Sequence, residues 1–270
     1  MSGMMRLPRR FLVAFAVAAL ATVVHAKSSV RLEALTSREV QALVRDGHTT
    51  VLVPIGGTEQ NGPHMVLGKH NVRAKVLCGR IAAALGNALV APVIAYVPEG
   101  SVSPPSSHMR FAGTISITPQ TFERLLEDAA RSLRATGFRD IVFVGDHGGY
   151  QRNEQAVAER LDREWAKTPA RARALVEYDR AAETEYPAAL AARGHSKDAI
   201  GTHAGLADTS LSLAVDPKLV RRDVLAAGQH LDGAHGVYGD PRGSSEALGQ
   251  LGVDAIVRRS VEALRGATQH

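Results

Sequence analysis

The chain has 270 residues, among them 25 glycines, 12 prolines and a single cysteine, so it can bury a sizeable core and is not a disulfide scaffold. Its net charge of +5 overstates the basicity of the folded part: Arg6, Arg9 and Arg10 lie in an acid-free N-terminal stretch, and without them the 32 basic residues become 29 against 27 acidic. That balance excludes a basic surface for nucleic acid.

The N-terminus reads as a leader. Basic residues precede an apolar stretch, Phe11 to Val24, and Val24-His25-Ala26 offers a small-x-small cleavage site before Lys27. Residues 1–26 are expected to be a Sec signal peptide. The mature protein would then be periplasmic or secreted, with no membrane attachment after cleavage. Residues 27–270 show no linker or internal repeat and are expected to form one domain.

In chain order, a strand is expected at 51–56 and a helix at 71–85, with Cys78 as a core thiol. A strand follows from Ala88 to Pro92. The next helix, 119–136, has Thr118 as N-cap, Pro119 in the first turn and Gly137 as C-cap. Then come a strand from Ile141 to Gly145, a helix at 151–166 and a strand from Arg173 to Tyr178. Helices close the chain near 184–193, 206–214 and 249–264. Alternating strands and helices predict a single three-layer α/β/α domain with a mostly parallel sheet.

Four polar, glycine-containing segments stand out: Gly56 to Asn71, Ser107 to Thr114, Gly145 to Tyr150 and Gly201 to Ser210. The first and third follow expected strands, where α/β enzymes place their ligand crevice. Together they hold five of the ten histidines of residues 27–270, with Glu59, Asp146 and Asp208. Carboxylates clustered with imidazoles form the ligand set of a zinc, manganese or iron site.

Glu59-Gln60-Asn61-Gly62-Pro63-His64 resembles the signature loop of the creatininase (creatinine amidohydrolase) family, E-Q-H-G-P-H. The family's later segments also have counterparts in order: His108-Met109-Arg110-Phe111-Ala112-Gly113-Thr114, His147-Gly148-Gly149-Tyr150, and His203-Ala204-Gly205 running on to Asp208-Thr209-Ser210. The resemblance spans roughly 50–240. It implies a single α/β/α domain, hydrolysis of a cyclic amide, formamide or peptide-like C–N bond, and a homo-oligomer, commonly a hexamer.

Carried over residue by residue, the resemblance assigns the first metal to Glu59 and His147, with His70 where the family has a bridging Asp. Asn61 replaces a second-metal histidine, and Asp208 stands at the family's Glu. An imidazole offers one lone pair and does not readily bridge two cations, whereas a carboxylate does. The expected centre is therefore one divalent metal per subunit (zinc, manganese or iron) at Glu59, His70 and His147. Asp208 is either a fourth ligand or the general base.

The resemblance makes His203 the proton donor to the leaving nitrogen, a task a near-neutral pKa would suit; a structural hydrogen bond is the alternative. Asp146 is expected to orient an imidazole, His64 to tie the loop down or to ligate, and His108 and Arg110 to face substrate or a neighbouring subunit. Tyr150, in place of the family's Asn, is expected at the pocket rim. The missing glutamate at Gly149, and a lone tryptophan of the mature chain (Trp165) outside these segments, argue against creatinine as substrate. The leading expectation is a metal-dependent amidohydrolase acting on a small molecule. The rivals are a non-catalytic binding protein on the same fold and a metal-dependent lyase or isomerase.

Overall fold

Val51-Leu52-Val53-Pro54-Ile55 is apolar without alternation, the pattern of a strand covered on both faces. It lies inside the sheet of the computed structural model, which describes residues 29–267; the expected leader falls outside them. The sheet has four parallel strands in the order β2-β1-β3-β4, with β1 at Thr50–Ile55, β2 at Ala88–Val90, β3 at Asp140–Gly145 and β4 at Arg171–Ala174. Alternate side chains feed two cores. Leu52, Val90, Val142 and Val144 pack with Leu77, Cys78 and Ile81 of α2 (Lys69–Leu85), Leu211 of α8 (Leu206–Val215) and Ile256 of α10 (Glu246–Ala267). Val51, Val53, Ile55, Ile141 and Phe143 pack with Phe122 and Leu126 of α3 (Pro119–Thr136), Leu161 of α4 (Gln151–Glu164) and Trp165. The expected α/β/α layering is borne out.

The α3 boundaries follow their caps. Thr118 accepts from the Thr121 amide, Pro119 sits at the start, and Gly137 ends the helix in a left-handed conformation at φ 111°. The first helix, α1 (Ser37–Arg45), was not among the expected elements, although Thr36 and Glu39 form a complete capping box.

The expected strand from Arg173 to Tyr178 needs correction: pairing ends at Ala174, and Val176–Arg180 is helical (α5). The Leu175 amide still donates to Phe143 O, after which the chain turns so that the Tyr178 hydroxyl donates to Asp146. A π-helical turn at Ala181–Glu185 joins α5 to α6 (Tyr186–Ala191), followed by α7 (Lys197–Ile200). A short α9 (Arg222–Ala226) precedes α10. Among the described residues no helix is long and apolar enough to cross a membrane.

The order 2-1-3-4 places the sheet's switch point between β1 and β3, whose pairing runs from Thr50↔Asp140 to Ile55↔Gly145. Their carboxyl ends open side by side, and the Asp146 amide donates to Ile55 O at 3.0 Å. The loop after β1 therefore meets the loop after β3. This register sets the site.

Candidate metal centre

Glu59 enters from the β1 loop fully buried, and its two oxygens face different neighbours. Oε2 lies 3.1 Å from His108 Nε2 and 3.4 Å from His147 Nε2. Oε1 lies 2.8 Å from His70 Nε2, 3.8 Å from His203 Nδ1 and 3.9 Å from Lys69 Nζ. Glu99, from the loop after β2, approaches His147 Nε2 at 3.8 Å. Glu59, Glu99, His108 and His147 each bring a donor atom to within 4.8 Å of the others.

These donors fit a divalent cation. Glu59 Oε2 and both Glu99 oxygens are buried without a hydrogen-bond partner, an arrangement costly for carboxylates unless positive charge compensates them. Protonation states agree. Burial pushes the Glu99 carboxyl up to about 7, with nearby Glu59 adding to the rise against the pull of His147. Burial disfavours the His147 imidazolium, yet the adjacent Glu59 carboxylate raises it to about 9. Burial also opposes ionisation of Glu59, but nearby His147 and the hydrogen-bonded His70 hold its pKa low.

Glu59 and His147 belong to the group, while Glu99 and His108 join it. His70 stands beside the four donors, with Nδ1 2.7 Å from Asp146 Oδ2 and Nε2 2.8 Å from Glu59 Oε1. Asp146 thus orients His70 rather than its chain neighbour His147, and it also pairs with Arg73 at 3.0 Å. Asp208 stands apart. Lys69 and the Ala204 amide take Oδ2, and Arg73 takes Oδ1 at 2.5 Å. Burial alone would raise its pKa, but Lys69 and Arg73 hold it well below the usual range, making it a weak base.

Other expectations also change. Tyr150 is not at the rim: it is fully buried below His147, its ring centroid 5.6 Å away, with its hydroxyl directed at the carbonyls of Ile55 and Gly56. Asn61 points its amide at the Glu59 and Val66 carbonyls, 2.9 and 3.1 Å away, and so braces the loop. His64 is buried against Thr209 Oγ1 at 3.0 Å, and burial lowers it to about 4. Arg110 is exposed and bonds Ser107 O.

Sequence reasoning missed Gln60 as an organiser. Its amide nitrogen donates to His108 Nδ1 at 3.1 Å and Gly236 O at 3.2 Å, while its side-chain oxygen accepts from the Gly62 amide. His203 Nε2 lies 3.0 Å from Gln60 O and 3.2 Å from Gln60 Nε2, and its Nδ1 faces Glu59 Oε1 at 3.8 Å. Burial, with Lys69 nearby, lowers His203 to about 3, which corrects the expected near-neutral value. Above the group, a cleft is walled by His203, Gly149, Glu183 and Tyr186. Glu183 comes from the π-helical turn, a distortion that recurs at functional sites.

The chain matches the family described as Creatininase: Creatinine amidohydrolase over residues 33–264. It belongs to the creatininase family. Its curated relatives include the mycofactocin precursor peptide peptidase of Mycolicibacterium smegmatis, 32% identical over 223 residues, covering 81% of this chain and 77% of that protein. Another is the creatinine amidohydrolase of Pseudomonas putida, 29% identical over 134 residues and half of each chain. A solved structure described as "Creatininase Mn" superposes with a TM-score of 0.75 at 24% identity, covering 89% of this chain and 99% of that one. A mutant creatininase described as "Zn-Zn type" gives 0.73 at 24% identity, with 89% and 98% covered. The chain is a creatininase-family amidohydrolase, a metal-dependent hydrolase acting on C–N bonds.

Proposed function

We propose that this hydrolase uses one divalent ion, zinc or manganese, to cleave a peptide-like amide. The observation that carries the reading is the convergence of Glu59, Glu99, His108 and His147, with three orphaned carboxylate oxygens, at the base of a cleft. A relative aligned over most of its length is named a peptide peptidase, which favours a peptide over a cyclic amide.

A bound divalent ion would polarise the substrate carbonyl and lower the pKa of water from about 15.7 towards 7. Glu99, raised to about 7 by burial in the metal-free site, gives up its proton when it takes its place among the ligands. His203, neutral at pH 7 with its pKa lowered to about 3, lines the cleft with Nδ1 3.8 Å from Glu59 Oε1 and offers a polar contact to substrate. Glu183 and Tyr186 offer polar and aromatic contacts along one wall.

The deciding experiment loads purified protein with zinc or manganese and offers creatinine, formamides and short peptides side by side. Peptide cleavage that disappears on chelation is expected. Faster turnover of creatinine than of any peptide would defeat the substrate assignment. Ready binding of small molecules with no hydrolysis in any metal-loaded sample would favour the binding-protein alternative.

A further inference from the structure

Lys69 is used by no step above, yet it sits in the centre of the site. Its side chain is 1% exposed, and it is the first residue of α2. Both placements are unfavourable for an ammonium: lysines are seldom buried, and the positive end of the helix dipole repels them. The fold nevertheless aims Nζ between two carboxylates, paired with Asp208 and 3.9 Å from Glu59 Oε1. Glu59 is thereby divided: Oε2 faces the histidines of the metal group, and Oε1 faces His70 at 2.8 Å and Lys69 at 3.9 Å.

We propose that the Lys69 ammonium is a built-in second cation, occupying the side of Glu59 away from the metal group and excluding a second metal ion. Three observations in this chain support it. Asn61 spends its amide nitrogen on backbone carbonyls and has only a neutral, partnerless Oδ1 left to offer a cation. His70 is held between Asp146 and Glu59. Asp208, the nearest remaining carboxylate, is occupied by Lys69 and Arg73. A divalent ion on the Oε1 side would have to displace the ammonium from both acids. Tethered charge in place of a diffusible ion makes the site mononuclear whatever the metal supply. Lys69 is a positioning residue: it acts on Glu59 and Asp208, not on substrate.

The inference rests on the metal-centre reading, and one experiment separates the two. Zinc or manganese is loaded to saturation on the full chain, loose ions are removed, and ions per chain are counted for wild type, Lys69→Ala and Lys69→Arg. One ion is expected on wild type and on Lys69→Arg, and two on Lys69→Ala. Methylammonium should expel the second ion from Lys69→Ala by refilling the vacated place. Two ions on wild type, or one on a folded Lys69→Ala, overturn the role of the lysine and leave the metal centre standing. No ion on wild type overturns the metal centre and the inference with it. If Lys69→Ala fails to fold, the wild-type count still decides, because two ions there contradict the proposal and one supports it.

Discussion

Glu99 Oε2 lies 3.8 Å from His147 Nε2, joining a loop after β2 to the loop after β3 through two side chains without regular secondary structure beneath either. Neither Glu99 oxygen has a hydrogen-bond partner. Glu99→Gln should therefore weaken zinc binding more than about 100-fold, beyond the 10–100-fold typical of residues that only support ligands. Calorimetric titration of metal-free protein measures this. A loss below about 10-fold would return Glu99 to a supporting role.

Metal uptake should depend on pH in a defined direction. Without metal, Glu99 titrates at about 7 and His147 at about 9, and both must release protons to become ligands. Apparent affinity should rise about tenfold per pH unit for each proton released, most steeply below pH 7 where both are held, and level off above 9. Titrations in buffers of different ionisation enthalpy count the protons. Affinity independent of pH between 6 and 9 would contradict these assignments.

Tyr150 is predicted to affect stability rather than specificity. Its hydroxyl serves carbonyls at the end of β1, and its ring supports His147 from below. Tyr150→Phe keeps the ring and loses the hydrogen bond, so it should cost about 1 kcal/mol of stability with little change in substrate preference. Denaturant unfolding beside a substrate panel tests it, and an altered substrate profile would restore Tyr150 to the rim.

Glu59 and His147 were legible because each lies in a loop leaving an apolar strand, where position alone marks a residue as functional. The sheet was legible for the same reason: β1 and β3 are buried on both faces and read as uninterrupted apolar runs. Glu99 was not. Its segment between β2 and α3 holds only a 3₁₀ turn at Ser107–Arg110, so no periodicity points to it. Lys69 was passed over because it falls in the polar loop ahead of the helix expected at 71–85, and only tertiary packing encloses it. The helix at Val176–Arg180 was read as strand because Arg173 to Tyr178 follows an apolar, β-prone pattern, while the decisive interaction is long-range, from Tyr178 to Asp146.

Glu154 supplies a pH signature distant from the metal donors. It is buried on α4 beside Gly145, and burial raises its carboxyl well above the ordinary value of 4.5, with Asp179 adding repulsion. A folded pKa above the unfolded one means that the stabilising contribution is fully present below about 4.5 and is lost as pH rises through the folded value. Glu154→Gln cannot ionise and should escape that loss. Its melting temperature relative to wild type should rise from pH 5 to pH 8. A constant difference across that range would mean that Glu154 ionises equally in both states.

Gly236 links the late turn to the metal group through Gln60. At φ 73° it occupies the left-handed region, and a Cβ there would fall 1.9 Å from Gln60 Oε1 and 2.7 Å from its Nε2. The backbone strain alone is about 1–2 kcal/mol. The larger consequence is that Gln60 must leave, freeing His108 Nδ1, which it holds at 3.1 Å, and vacating the Gly62 amide. Gly236→Ala should therefore reduce metal affinity and turnover together, although position 236 touches neither His147 nor Glu99. Gln60→Ala should reproduce the affinity loss without the strain. In the double variant the clash has no partner, so the two losses should fall short of adding. Full additivity would show that Gly236 acts through its own backbone and not through Gln60.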